Sequence, residues 1–553
     1  SFYVFAIWIG LGVAGIFDFL KNKIKNNTVN IGIGAILMGI PLMMGFQNYT
    51  PHNRSGRHTA YDYAYSALKS LPEQSILIVY GDNDTYPTWA IQETENFRDD
   101  VKVINYELLI TSWNIDQAKR RTYQSMPIPS ELSHEEYRDG TNDQIYLMDK
   151  EHWENIFNNM KENGIPETEL ASFRKYLTQE TITLKEAMQF LRNKSEDKNT
   201  ILKMLFGEEQ YEKFNFLPVN KFVLPVNTAN AVKAGIIKEQ DVPLAEKEII
   251  INYDKSSYLY KNNLIIMDML ANFDWKRPIS FSSGGIYSDE NSFYLTNYLQ
   301  FDGFNYRLVP IKTPENAEGD LGRVDADGLY NIVKNFRWGN FKDLNVHFDE
   351  TCTSNIISYR ISAGRAAEAL SLKGQKKKAL ELLNLAEKEI PAKKYNDARS
   401  LSAIVTGYIM AGEEQKGLNL AEKLKKDILK EYDYYTGLSP YEQQFVIKQK
   451  TTQARLYSMV VNSVVSAYQK MGEKDKAYQY LVESINVVDK RFDNLIKKLE
   501  EMGRGKAYNE VQNVQRKIVP LYHYLFEVMK PFDSTYEQEK IKYIEKQIIR
   551  VSQ

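Results

Sequence analysis

Gly81-Asp82-Asn83-Asp84 sets two carboxylates at i and i+2 beside a carboxamide, directly after the apolar run SILIVY at 75–80. Such a group could ligate a hard cation such as Mg²⁺ or Ca²⁺, take part in acid/base chemistry, or hydrogen-bond a sugar. The plainer alternative is that Asp and Asn turn the chain and cap the helix that follows. Asp82, Asn83 and Asp84 are therefore catalytic candidates only, and no set of metal ligands is assigned. A second group lies upstream: His52 and His58 flank Arg54 and Arg57. Cations of this kind meet lipid phosphates or a pyrophosphate head group, or simply anchor the chain at an interface. His52, Arg54 and Arg57, with Trp89 and Trp113, form the candidate set for a substrate or lipid head group.

Other chemistries are excluded by pattern. The six histidines are scattered, with no H-E-x-x-H and no pair at helical i, i+4 spacing, which argues against a zinc protease. Ser282-Ser283-Gly284-Gly285 lacks the G-x-S-x-G elbow of a nucleophilic serine. Gly10-Leu11-Gly12-Val13-Ala14-Gly15 fits the dinucleotide fingerprint but has no preceding strand and no acidic partner downstream. The single cysteine, Cys352, excludes an internal disulfide and a Cys-based zinc cluster.

The elements that would position these residues follow from periodicity. Ser75–Tyr80 and Val101–Asn105 are short β-branched runs, and TWAIQETENFR between them is helix-like. Strand, acidic loop, helix and strand make a βαβ unit, which predicts a parallel sheet with its loops at the strand C-termini. Residues 48–130 are thus expected to form an α/β domain, with 131–215 a charged helical insertion and 216–345 the continuation of the α/β body.

The first 47 residues are different material. Ser1–Leu20 and Val29–Phe46 are apolar runs near the lower length for crossing a hydrocarbon core, separated by a loop with Lys21, Lys23 and Lys25. The basic residues follow the first run instead of preceding it, which is the wrong order for a signal peptide. Two transmembrane helices are expected, with the basic loop on the cytoplasmic side and the remainder beyond the membrane. Gly10, Gly12, Gly15, Gly32, Gly34 and Gly39 are expected to let the helices approach closely in lipid. The chain starts with Ser1, inside an apolar run, so it is expected to be the C-terminal part of a longer membrane protein. The other 506 residues carry 67 basic and 71 acidic groups. That balance gives no electrostatic reason to bind nucleic acid.

Residues 346–553 are helical in period. Three stretches share the pattern helix, G-x-x-x-x-(A/G), helix: Gly374 with Ala379, Gly412 with Gly417, and Gly472 with Ala477. The first glycine supplies the turn and the second small residue allows close helix packing, a tetratricopeptide-like arrangement. The intervals of 38 and 60 residues depart from a regular 34. Such hairpins bind partner proteins, or serve as a helical support for the α/β body.

Several long collinear motifs carry a resemblance: PHNRSGRHTAYDYA, ILIVYGDNDTYPTWAIQETENFRDDVKVINYELLITSWNIDQAKRR, LANFDWKRPISF and YLQFDGFNYRLVPI. Over residues 1 to about 345 the chain resembles the large Bacteroidota membrane proteins long catalogued as a domain of unknown function. Those are grouped with a eukaryotic protein O-mannosyltransferase acting on plexin-type receptors. The resemblance implies a GT-C type architecture in the inner membrane, a periplasmic bulk, and a polyprenyl-phosphate sugar as donor. In that class the key carboxylate lies in the first external loop after the first membrane helix, and here it is expected upstream of Ser1. GDND at 81–84 and NRSGR at 53–57 match the family's motifs, while Pro51, Asn53 and Asn114 depart from its usual residues. Two functions follow as expectations: the periplasmic portion of a protein O-glycosyltransferase that presents or recognises acceptor proteins, or a non-enzymatic adaptor of an envelope secretion or motility complex.

Overall fold

The computed structural model describes residues 2–24, 26–209, 211, 214–286, 293–313, 320–502 and 504–552. The chain forms two compact units, one of residues 1–58 and 343–353, the other of 59–342 and 354–553.

In the first unit, α1 (Phe2–Lys23) and α2 (Asn27–His52) carry the apolar runs. Tyr3–Lys21 and Ile31–His52 are long and apolar enough to cross a membrane, and no described side chain in either stretch is buried within the protein. Large side chains such as Trp8 and Phe46 are 69% and 82% exposed, which suggests membrane association. The glycines do not serve a close approach between these two helices. Gly34 alone among them has a neighbour within reach of an added Cβ, the Phe17 ring at 3.6 Å. The α/β domain expected from residue 48 also begins later than that boundary. Helix α2 runs on through Asn48–His52, where the Asn48 side-chain amide donates to Met44 O at 2.8 Å.

In the second unit, α3 (Thr59–Lys69) precedes β1 (Ile76–Val79), α4 (Gly81–Glu95), β2 (Lys102–Asn105) and α5 (Ser112–Ala118). Further strands are β3 (Gln144–Leu147), β4 (Ile182–Thr183), β5 (Asn215–Leu217), β6 (Lys221–Pro225), β7 (Glu248–Asn252), β8 (Tyr258–Tyr260), β9 (Ile279–Ser282), β10 (Leu299–Phe301) and β11 (Asn305–Leu308). The main sheet has the order β10-β11-β9-β1-β2, with β1 parallel to both β2 and β9. All four residues of β1 are buried, as a central parallel strand requires. Leu68, Leu77, Val79, Ile91 and Val103 bring α3 and α4 onto this sheet in one apolar cluster. Two three-stranded sheets complete the body, β5-β3-β8 and β4-β6-β7. Their pairings, β3 with β5 and β4 with β6, run across the boundary expected at 215/216.

The tail is helical hairpins. Glu350–Leu372 turns into Lys376–Glu389, Ala398–Met410 into Glu414–Gly437, and Ile447–Lys470 into Lys474–Met502. At each turn the glycine has positive φ: 74° at Gly374, 97° at Gly412 and 81° at Gly472. The residue after each glycine returns its N–H five residues back, to Leu370, Tyr408 and Tyr468, at 2.8–2.9 Å. That is the Schellman closure, with glycine at the left-handed position where a Cβ is penalised. Ala379 and Ala477 are wholly buried, and a Cβ on Gly417 would stand 2.6 Å from Ile409 Cγ1.

Candidate functional site

The acidic segment that the sequence suggests is a loop is in fact the opening turn of α4. Gly81 leaves β1 with φ 69°, and Tyr80 sits at the cap position without a side-chain cap bond. Asp82 and Asp84 thus lie in the first turn, where the helix macrodipole favours negative charge. Neither the loop expectation nor the simple capping alternative describes them. The turn is held from β2 instead: Asn105 Nδ2 donates to Thr85 Oγ1 at 2.8 Å, and Thr85 Oγ1 donates to Gly81 O at 2.6 Å.

The two carboxylates have different surroundings. Asp82 and Asn83 are exposed, whereas Asp84 is buried. Ser282 at the end of β9 donates its hydroxyl to Asp84 Oδ2 at 2.6 Å, and the Tyr63 hydroxyl on α3 bonds the same carboxylate. Burial pushes the Asp84 carboxyl above its ordinary value, and the Ser282 and Tyr63 bonds oppose that shift. The glycines after Ser282 close over this point. A Cβ on Gly284 would lie 2.5 Å from Asp84 Oδ2, and one on Gly285 would lie 2.3 Å from the Tyr80 ring. Tyr80 is itself buried enough to raise its phenol well above the usual range.

This geometry does not fit a hard cation. One carboxylate faces outward, and the other has its oxygen occupied by a hydroxyl hydrogen. Among the described residues no group of three or more His, Cys, Asp or Glu is arranged to hold a metal. What Asp84 does is tie α3, α4 and β9 together at the C-terminal end of β1. Tyr63, Tyr80, Ser282, Gly284 and Gly285 belong to this cluster, and sequence reasoning missed them. The signal in the chain is SSGG, a hydroxyl followed by two residues small enough to close against a neighbouring turn.

The other candidates are dispersed. Trp89 lies half-buried on α4 and meets Tyr86 edge-on at 6.0 Å. Trp113 is 52% exposed at the start of α5, and among the described residues no polar or ring contact joins it to the GDND turn. In the membrane-helix unit, Arg57 is spoken for: Nη1 meets Asp349 Oδ2 at 2.8 Å and Nη2 donates to Pro51 O at 2.7 Å. Asp349 also accepts the Cys352 N–H at 2.9 Å. The Cys352 bonds hold its carboxyl below the ordinary value, with smaller contributions from Arg57 and Arg54. His52 and Arg54 are exposed, with His52 Nδ1 2.8 Å from Asn48 O. Of the three juxtamembrane candidates, these two present free polar surface.

The fold and this site define an α/β body preceded by two apolar helices, and comparison with known proteins gives that class a relation. Residues 60–328 match the TMEM260-associated domain 2, and the chain is related to protein O-mannosyltransferases. A stretch of 151 residues is 29% identical to a protein O-mannosyl-transferase, tmem260, of Dictyostelium discoideum. That stretch covers 25% of this chain and spans 18% of the relative's length. No solved structure matches the chain.

Proposed function

We propose that this chain is an extramembrane portion, with two membrane anchors, of a GT-C-like protein O-glycosyltransferase, and that it recognises or presents acceptor proteins. The observation that carries the reading is the match of residues 60–328 to a domain associated with the TMEM260 family. The two exposed apolar helices support a membrane setting, with the inner membrane as the site and the periplasm as the side holding the α/β body. A polyprenyl-phosphate sugar is the donor in this reading, and exposed His52 and Arg54 are suited to its phosphate. The three glycine-closed hairpins support a tetratricopeptide-like array, a surface class that grips other proteins.

The test is deletion of the gene followed by mass spectrometry of extracytoplasmic glycoproteins. Loss of O-glycan occupancy, restored by the native chain, is expected; unchanged occupancy on every glycoprotein overturns the reading. The helical array also favours a second reading, a non-enzymatic adaptor of an envelope secretion or motility machine. Stoichiometric recovery with such a machine from native membranes would select it.

A further inference from the structure

The outer edge of β2 borders a cavity of about 250 Å³, walled by α4, α5 and residues 122–125. Lys102 N–H donates to Ser75 O and Tyr106 N–H to Val79 O, so alternate residues from 102 face β1. Val103 therefore turns its N–H and C=O outward. Strand β2 ends the sheet, and neither group finds a partner among the described residues. Across the cavity, Asn114 is 4% exposed and its Oδ1 also has no partner. A buried polar atom is costly unless bonded, so Asn114 Oδ1 calls for a donor, and the edge N–H and C=O of Val103 border the same cavity. Trp89 and Tyr123 add aromatic surface, and the Tyr123 hydroxyl donates to Glu93 at the rim at 2.5 Å.

The chemistry of the occupant follows from this inventory. It must donate to Asn114 Oδ1 and Val103 O, accept from Val103 N–H, and offer an apolar face to an indole. Hydroxyl groups do both, whereas a phosphate only accepts and would leave two oxygens unmet. An added peptide strand is blocked one step along the edge. There the outward N–H of Val101 goes to Arg98 O at 3.0 Å, and its C=O takes Gln92 Nε2 at 2.9 Å. The volume also falls below the roughly 300–1,000 Å³ of sites for drug-sized ligands, which suits one small ring.

We propose that this cavity binds a single saccharide ring, with Asn114, the Val103 backbone and Trp89 as its contacts. The choice of sugar rests on the function proposed above, which puts a mannoside first. Purified full-length chain in detergent is titrated with methyl α-D-mannopyranoside, methyl α-D-glucopyranoside and glycerol, with ligand-detected NMR as the readout. Saturable binding of a glycoside is expected, weakened at least about tenfold by Asn114→Leu and by Trp89→Leu. Gln117 also lines the cavity and is exposed, so Gln117→Leu is expected to weaken binding while leaving the buried core untouched. The exposed tail change Tyr434→Ala should leave it unchanged. The inference is overturned if no glycoside binds, if glycerol competes equally, or if folded Asn114→Leu and Gln117→Leu bind as the native chain does. Absent binding in a chain whose deletion still abolishes glycosylation removes the pocket and leaves the proposed function standing.

Discussion

Asp82 and Asp84 stand two positions apart and answer to different physics. Asp82 is exposed in the first turn of α4, so Asp82→Asn should cost less than about 1 kcal/mol, the lost dipole interaction. Asp84 is buried against Ser282 and Tyr63, and Asp84→Ala should cost about 1–3 kcal/mol by leaving those hydroxyls unmet. Chemical denaturation of both variants checks the contrast. The sign of the pH effect follows from a carboxyl raised in the folded state. Above the ordinary carboxylate value of about 4, the folded chain holds a proton that the unfolded chain has lost. Stability contributed by Asp84 is thus fullest at low pH and falls as pH rises toward the raised value. Melting temperatures of Asp84→Asn against the native chain should show that part of the slope removed; an unchanged slope contradicts the assignment. The pair was legible in the sequence as two carboxylates at i and i+2. Their opposite exposure was not, because Ser282 and Tyr63 reach Asp84 from segments 198 and 21 positions away.

At the scale of elements, the strand–helix–strand unit and the three tail hairpins could be read from local pattern. A β-branched run beside glycine and a glycine between periodic apolar stretches are short-range signals, and both produced the expected backbone. The extent of α2 was not legible. Asn48–His52 is polar and includes Pro51, yet the helix continues, and because Pro51 stands one residue from its end only the bond to Gln47 O is lost. The order of the main sheet was also hidden, since β9 joins β1 across about 200 residues and no local rule specifies that partner. The hairpins allow a paired test. Gly417→Ala forces a Cβ against Ile409 and should cost about 1–3 kcal/mol. Gly374→Ala meets open space and pays only for φ of 74°, about 1 kcal/mol. Thermal unfolding ranks the two, and the reverse order would refute the packing role of Gly417.

For the molecule as a whole, composition conceals its most distinctive part. A mean hydropathy of −0.46 describes a water-loving chain, yet two helices at one end present unburied Trp, Phe and Ile side chains. The full chain should therefore stay with membranes through an alkaline carbonate wash, as peripheral proteins do not; its appearance in the supernatant would contradict membrane spanning. The relation to protein O-mannosyltransferases rests on the body, residues 60–328, and the functional account grows from it. In the proposed function, sugar transfer to protein depends on this chain. The most direct test is an assay on native membranes, supplying a polyprenyl-phosphate-linked sugar and an extracytoplasmic acceptor protein. Labelled acceptor is expected from native membranes and none from membranes lacking the chain, with transfer restored on its return. Equal transfer in both preparations would contradict it.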